Sequence, residues 1–245
     1  MNELLEELAL NAWPGVRQVH FDHWVLRLSG NHTRRANSVN FLGPSTLPLD
    51  FKIDFCEEAY SRFNTSPVFK FAGLYDSSTI DSNLANRGYQ IEGNAMVMTH
   101  DLDQLRAVPS VDYRVESDLS AAWFDLAAAM LEIDPGRLPY FEKILSNIVP
   151  DHGFASVWHD GKPAAIGLAV VERGWIGLFD IVTSTQFRRM GLGNQLVLNM
   201  MKWGKERGAT AAYLQVVETN TPAVSLYSKI GYTPLYRYWY RAKTG

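Results

Sequence analysis

Six consecutive residues, Arg188-Arg189-Met190-Gly191-Leu192-Gly193, combine two cations with two glycines two positions apart. Glycine leaves no Cβ in the way of a ligand. Helical spacing begins at Leu192, so the N–H groups of Leu192, Gly193 and Asn194 fall at a helix start, unpaired and at the positive end of the macrodipole. Arg188 or Arg189 adds charge. Such a set can cradle a phosphate or pyrophosphate; the same hexapeptide also serves as an ordinary strand–helix turn. It is not a nucleotide P-loop, because no Gly-Lys-Ser/Thr follows. It is a poor dinucleotide fingerprint, because Leu196 stands where a third small residue is needed.

A second segment runs from Leu214-Gln215-Val216-Val217-Glu218-Thr219-Asn220-Thr221-Pro222-Ala223 to Tyr227 and Gly231-Tyr232. Ala223, Leu226 and Ile230 make one buried helix face, with Thr221 read as N-cap and Pro222 in the first turn. Tyr227 lies beside that face, either as a packing tyrosine or as a proton donor. Asp180 and Glu218 are the carboxylates on the flanking strands. Their plain alternatives are a hydrogen-bonded strand residue and a solvated strand end.

The elements that position these residues are legible from periodicity. Trp175–Thr183 reads as a strand, Leu192–Arg207 as a helix closed by Gly208, and Ala211–Val217 as a strand. Before them come a strand at Tyr113–Val115, helices at Leu119–Leu131 and Leu138–Ile148, and a hairpin around Asp160-Gly161. A last strand covers Tyr232–Arg241. The order β-α-α-β-β-β-α-β-α-β predicts a mixed α/β domain. Upstream, helices at residues 3–11, Asp50–Phe63 and Thr79–Asn86 alternate with strands at Trp24–Leu28, Ser38–Leu42, Val68–Ala72 and Tyr89–Met98. Asp101–Ser110, polar and carrying Pro109, is the best linker, which divides the chain into residues 1–105 and 106–245.

The bulk numbers exclude several classes. A net charge of −3 provides no field for nucleic acid or an anionic membrane. No apolar run spans a bilayer, and the acidic, amphipathic N-terminus lacks the pattern of a signal peptide, so a cytoplasmic setting is expected. The single cysteine, Cys56, sits in an apolar helical stripe as a small hydrophobe. The six histidines show no metal-ligand spacing, and no metal is expected.

Together the two motifs, at this separation, resemble the GNAT acetyltransferase superfamily over roughly residues 111–242. The resemblance implies a GNAT fold and acetyl-CoA, or another short acyl-CoA, as donor. It implies that Arg188, Arg189, Met190, Gly191, Leu192, Gly193 and Asn194 bind the pyrophosphate. The pantetheine arm would lie along the backbone of Ile181, Val182 and Thr183. Asn220, Ala223 and Tyr227 match a third cofactor-contacting segment, with Tyr227 as the acid for the departing thiolate. The acceptor would be a primary amine on a small molecule or peptide. Some members carry a glutamate near the position of Gly177; here it is missing, which leaves Asp180 or Glu218 as candidate bases. The resemblance also points to Glu132, Asp134, Tyr140 and Phe141 as acceptor-pocket residues. Tyr236, Tyr238 and Tyr240 share one strand face that either borders that pocket or packs in the sheet. A CoA-binding regulatory module without turnover is the alternative, and homodimerisation is left open.

Residues 1–105 repeat the order helix, strand, helix, Gly-Tyr, strand, with Leu84-Ala85-Asn86-Arg87-Gly88-Tyr89 parallel to Tyr227-Ser228-Lys229-Ile230-Gly231-Tyr232. A tandem GNAT arrangement with a degenerate first half is expected. Leu84 stands in the tyrosine's place, and Phe41-Leu42-Gly43-Pro44-Ser45-Thr46-Leu47-Pro48 has no RxxGxG. Arg34, Arg35 and Asn37 are its candidates for a wall of the acceptor pocket.

Overall fold

The computed structural model describes residues 1–245 except Asp76, Ala107, Pro109, Thr244 and Gly245. Pro109, which marks the linker in the sequence, lies outside the described residues. The chain forms two compact units. The first holds Met1–Met96, Pro139–Asn147 and Tyr236–Gly245; the second holds Val97–Leu138 and Ile148–Leu235.

The first half of the chain supplies α1 (Asn2–Ala12), β1 (Arg17–Phe21), β2 (Trp24–Leu28), β3 (Val39–Phe41), α2 (Leu49–Ser61), β4 (Phe69–Phe71), α3 (Ser77–Asn86) and β5 (Gln90–Asp101). The second half supplies β6 (Asp112–Glu116), α4 (Ala121–Met130), α5 (Leu138–Ser146), β7 (Asp151–His159), β8 (Lys162–Glu172), β9 (Trp175–Thr183), α6 (Leu192–Glu206), β10 (Ala211–Val217), α7 (Thr221–Ile230) and β11 (Thr233–Ala242).

In the first unit the strand order is β1-β2-β3-β4-β11. The pairs are antiparallel except β3 with β4, which are parallel (Val39 opposite Phe69) and joined through α2. Trp24, Phe41, Phe69, Phe71 and Tyr89 form its aromatic centre beneath α2 and α3, with Cys56 buried among them. Burial pushes the Cys56 thiol up to about 12, so it is an inert packing group. β1 is an exposed edge strand of five residues with only Val19 and Phe21 apolar, too short an alternation for periodicity to mark.

In the second unit the order is β5-β10-β9-β8-β7-β6. β6 to β9 form an antiparallel run, and β9 pairs parallel to β10. The β7–β8 turn places Asp160 at φ +50° and Gly161 at φ +73°, the backbone a two-residue hairpin needs. α6 buries Leu196, Val197, Met200 and Met201 on one face, the i, i+4 spacing of an amphipathic helix.

Candidate active site

β9 carries a kink that prepares the site. Asp180 adopts φ +48°, and the β8–β9 register slips there: Leu168 faces Phe179, but Ile166 faces Val182. The extra residue is a bulge, which bends and twists the strand. Pairing with β10 ends at Leu178–Leu214, while β9 runs on to Thr183. Ile181, Val182 and Thr183 are thus held from the β8 side, through Ile166–Val182 and Ala165–Thr183, and have no ladder to β10. Their peptide groups on that side are left for a ligand.

A short 3-10 turn at Thr185–Phe187 leads into the loop. Arg189 (φ +65°) and Gly191 (φ +77°) are left-handed, and Gly191 is the N-cap of α6. No side chain caps this helix, so its first N–H groups remain outward-facing donors. The space a Gly191 Cβ would fill is open. Gly193 is different: a Cβ there would lie 2.8 Å from Thr183 Oγ1 and 3.8 Å from Leu226 Cδ2. The start of α6 therefore sits directly on the free end of β9 and beside α7. Arg188, Arg189 and Met190 are exposed, and neither arginine forms an ion pair among the described residues.

α7 completes the group. Its N-cap is Asn220, whose Oδ1 accepts from the Ala223 N–H at 3.3 Å; Thr221 is already helical, one residue earlier than the sequence suggests. Asn220 thus sets the helix direction. Tyr227 is 7 % exposed, and burial pushes its phenol up to about 12. Its ring meets Tyr232 edge-on at 6.0 Å, and Tyr232 in turn lies 5.4 Å from His100. Both the Tyr232 hydroxyl and His100 Nδ1 are buried without a partner. This polar pair behind Tyr227 carries no sequence signal: a lone histidine 127 positions upstream of the tyrosine belongs to no motif.

Other sequence candidates are held elsewhere. Glu218, at the end of β10, is half-buried, as is Asp180. Asp134 caps a 3-10 turn by accepting from the Gly136 N–H, and Glu132 is exposed. Phe141 packs against Trp13 and His32 in the first unit. In that unit Tyr238 and Tyr240 are buried packing residues, and the Tyr236 hydroxyl donates to Glu6 Oε1 at 2.7 Å. Arg34 pairs with Glu92, Arg35 lies over Trp13, and Asn37 is buried in a hydrogen-bond network.

Relatives and the matching family place the chain among GNAT-type N-acetyltransferases. Residues 3–241 match the family described as "Probable histone acetyltransferase Rv0428c C-terminal", and the chain belongs to that family. Similar to it is the uncharacterized N-acetyltransferase YobR of Bacillus subtilis, 28% identical over 243 residues that cover 98% of this chain and 97% of YobR. Among solved structures, a GCN5-related N-acetyltransferase from Kribbella flavida aligns with a TM-score of 0.71 at 18% identity, over 98% of this chain and 95% of that one. A tandem GNAT protein from the clavulanic acid biosynthesis pathway aligns with a TM-score of 0.60 at 16% identity, over 80% and 70%.

Proposed function

We propose that the chain transfers an acetyl group from acetyl-CoA to a primary amine by direct attack, with no metal and no covalent intermediate. The observation that carries this reading is the uncapped start of α6, with left-handed Gly191 and with Gly193 against Thr183, beside the unpaired edge of Ile181–Thr183. The N–H groups of residues 191–194, with Arg188 and Arg189, receive the pyrophosphate. The pantetheine amides add to the free edge of β9 as a strand would.

The proton balance sets the remaining roles. An alkylamine of pKa about 10 is protonated at neutral pH and must lose a proton before it attacks the thioester carbonyl. Asp180 or Glu218, directly or through water, takes that proton. The N–H groups at Val182–Thr183 stabilise the tetrahedral oxyanion. The C–S bond then breaks, and Tyr227 meets the sulfur. A phenol raised to about 12 holds its proton at neutral pH. It therefore keeps its proton through the attack and donates it to the sulfur as the C–S bond breaks, and the proton that the nitrogen carries after attack leaves as the amide forms and restores the phenol. The family's description names a histone acetyltransferase, and a protein amine falls in this class, as does a small-molecule amine.

The tandem reading belongs to the same proposal, with residues 1–105 as a degenerate half that holds no CoA and residues 106–245 as the catalytic half. It is supported by matching strand orders: β1-β2-β3-β4 with α2 between β3 and β4, and β7-β8-β9-β10 with α6 between β9 and β10. A feature of the first unit also supports this reading. Where the second half has a glycine cradle, the Asp22 carboxylate accepts from the N–H groups of Thr46 (2.9 Å) and Leu47 (3.0 Å) and pairs with buried Lys52 at 3.0 Å. The Thr46 hydroxyl and the Leu47 N–H hold that carboxyl well below the usual range, so a protein anion already occupies the donors.

Acetyl-CoA should raise the Tm in a concentration-dependent manner. Gly193→Val should remove most of the shift by driving a branched side chain into Thr183, and Gly191→Val should do so through backbone strain. Unchanged binding in both variants overturns the assignment.

A further inference from the structure

The first unit contains an open cleft of about 550 Å³, and Tyr140 and Asn37, two residues expected near an acceptor, are among its lining. That volume lies within the roughly 300–1,000 Å³ of small-molecule sites. Val16, Leu28, Phe63 and Tyr140 provide apolar walls; Arg17, Asn31 and Lys143 provide the polar part. No Asp or Glu is among its lining residues, and neither cation forms an ion pair among the described residues. Arg17 also stacks over the Phe63 ring at 5.0 Å, which holds a cation against the apolar wall.

The amide orientations here are fixed by donors that cannot reverse. Asn37, buried, accepts at Oδ1 from the backbone N–H of Ser29 (2.9 Å) and of Asn31 (3.4 Å). Its Nδ2 must therefore face Asn31 Oδ1, at 2.8 Å, and the Thr65 hydroxyl donates to the same oxygen, also at 2.8 Å. Both lone pairs of that oxygen are used, so Asn31 offers the cleft only its Nδ2 donors. A φ of +55° at Asn31 holds the side chain in this place. Every charged group facing the cleft is cationic, and the amide at its wall can only donate.

We propose that this cleft binds a small organic anion with an aromatic or aliphatic body, its carboxylate or phosphate met by Arg17, Lys143 and Asn31. None of residues 188–194 lines it. It is tested by calorimetry on the full chain with an isosteric series: 4-phenylbutyrate, phenethyl phosphate, 4-phenylbutanol and 4-phenylbutylamine. The two anions should bind at one site per chain, with affinity falling as salt rises. The alcohol should bind at least about tenfold more weakly, and the amine should give no heat. Arg17→Gln with Lys143→Gln should weaken 4-phenylbutyrate by about tenfold or more at an unchanged Tm, and Arg17→Lys with Lys143→Arg should restore most of it. Anion binding should persist in Gly193→Val and under saturating acetyl-CoA, which separates failure of this proposal from failure of the acetyltransferase reading. Equal affinity for acid and alcohol, no effect of the double glutamine variant, displacement by acetyl-CoA, or no anion binding at millimolar concentration would each overturn it.

Discussion

In the proposed mechanism Tyr227 supplies the proton for the departing sulfur. Tyr227→Phe keeps the ring and its edge contact with Tyr232 but removes the proton. Its kcat should fall by about 10²–10⁴-fold with acetyl-CoA affinity nearly unchanged. A wild-type rate would mean that water protonates the sulfur. Behind it, His100 is buried, and that burial holds its imidazole below the ordinary value. The unfolded chain, with a histidine pKa of about 6.5, then takes up the proton first as pH falls. Stability should be fully present above about pH 6.5 and decline as pH drops toward the folded value. Urea midpoints from pH 7.5 to 5 should show this, with a flatter profile for His100→Phe; identical slopes would remove His100 from the account. Of these residues Tyr227 was legible, because it stands in a spaced motif, whereas His100 was not, because only the fold brings it to Tyr232.

At the scale of elements, β9 and β10 have the bounds their sequences suggest, and α6 ends one residue earlier. Alternating or helical apolar spacing specifies such segments locally. The Asp180 bulge was not legible, since a non-glycine residue at φ +48° leaves no mark in composition. The Asp22 carboxylate against the 42–48 loop is equally silent in the sequence: Pro44 and Pro48 lack N–H donors, but nothing in the spacing shows that a carboxylate uses those of Thr46 and Leu47. Asp22→Asn keeps the shape and removes the charge beside Lys52, which is fully buried. Lys52 Nζ keeps its hydrogen bonds to the Asp22 carbonyl and to Ser45 Oγ, both at 2.6 Å, but loses its counter-charge, so this variant should be less stable than the parent. Chemical denaturation would check it, and an unchanged midpoint would show the pair to be incidental.

At the scale of the molecule, the order strand, strand, strand, helix, strand, helix, strand is shared from β1 in the first half and from β7 in the second, which adds β6 and a second helix before it. The strand after α3 is β5, and its C-terminal part, from Val97, belongs to the second unit; the strand after α7 is β11, and its part from Tyr236 belongs to the first. The final strand of each half is thus divided between the two units. Sequence pattern fixes that a strand forms, not which neighbour it pairs with, so a linker near residue 105 was as much as the chain could suggest. The glycine cradle occurs once, and calorimetry should find one CoA per chain. The measurement that bears most directly on the whole account is thiol release from acetyl-CoA across a broad panel of primary amines. The account predicts release that depends on at least one amine, accompanied by the acetylated product, and lost in Gly193→Val. Saturable acetyl-CoA binding with no amine-dependent thiol release from any member of the panel would contradict it and make the chain a CoA-binding module.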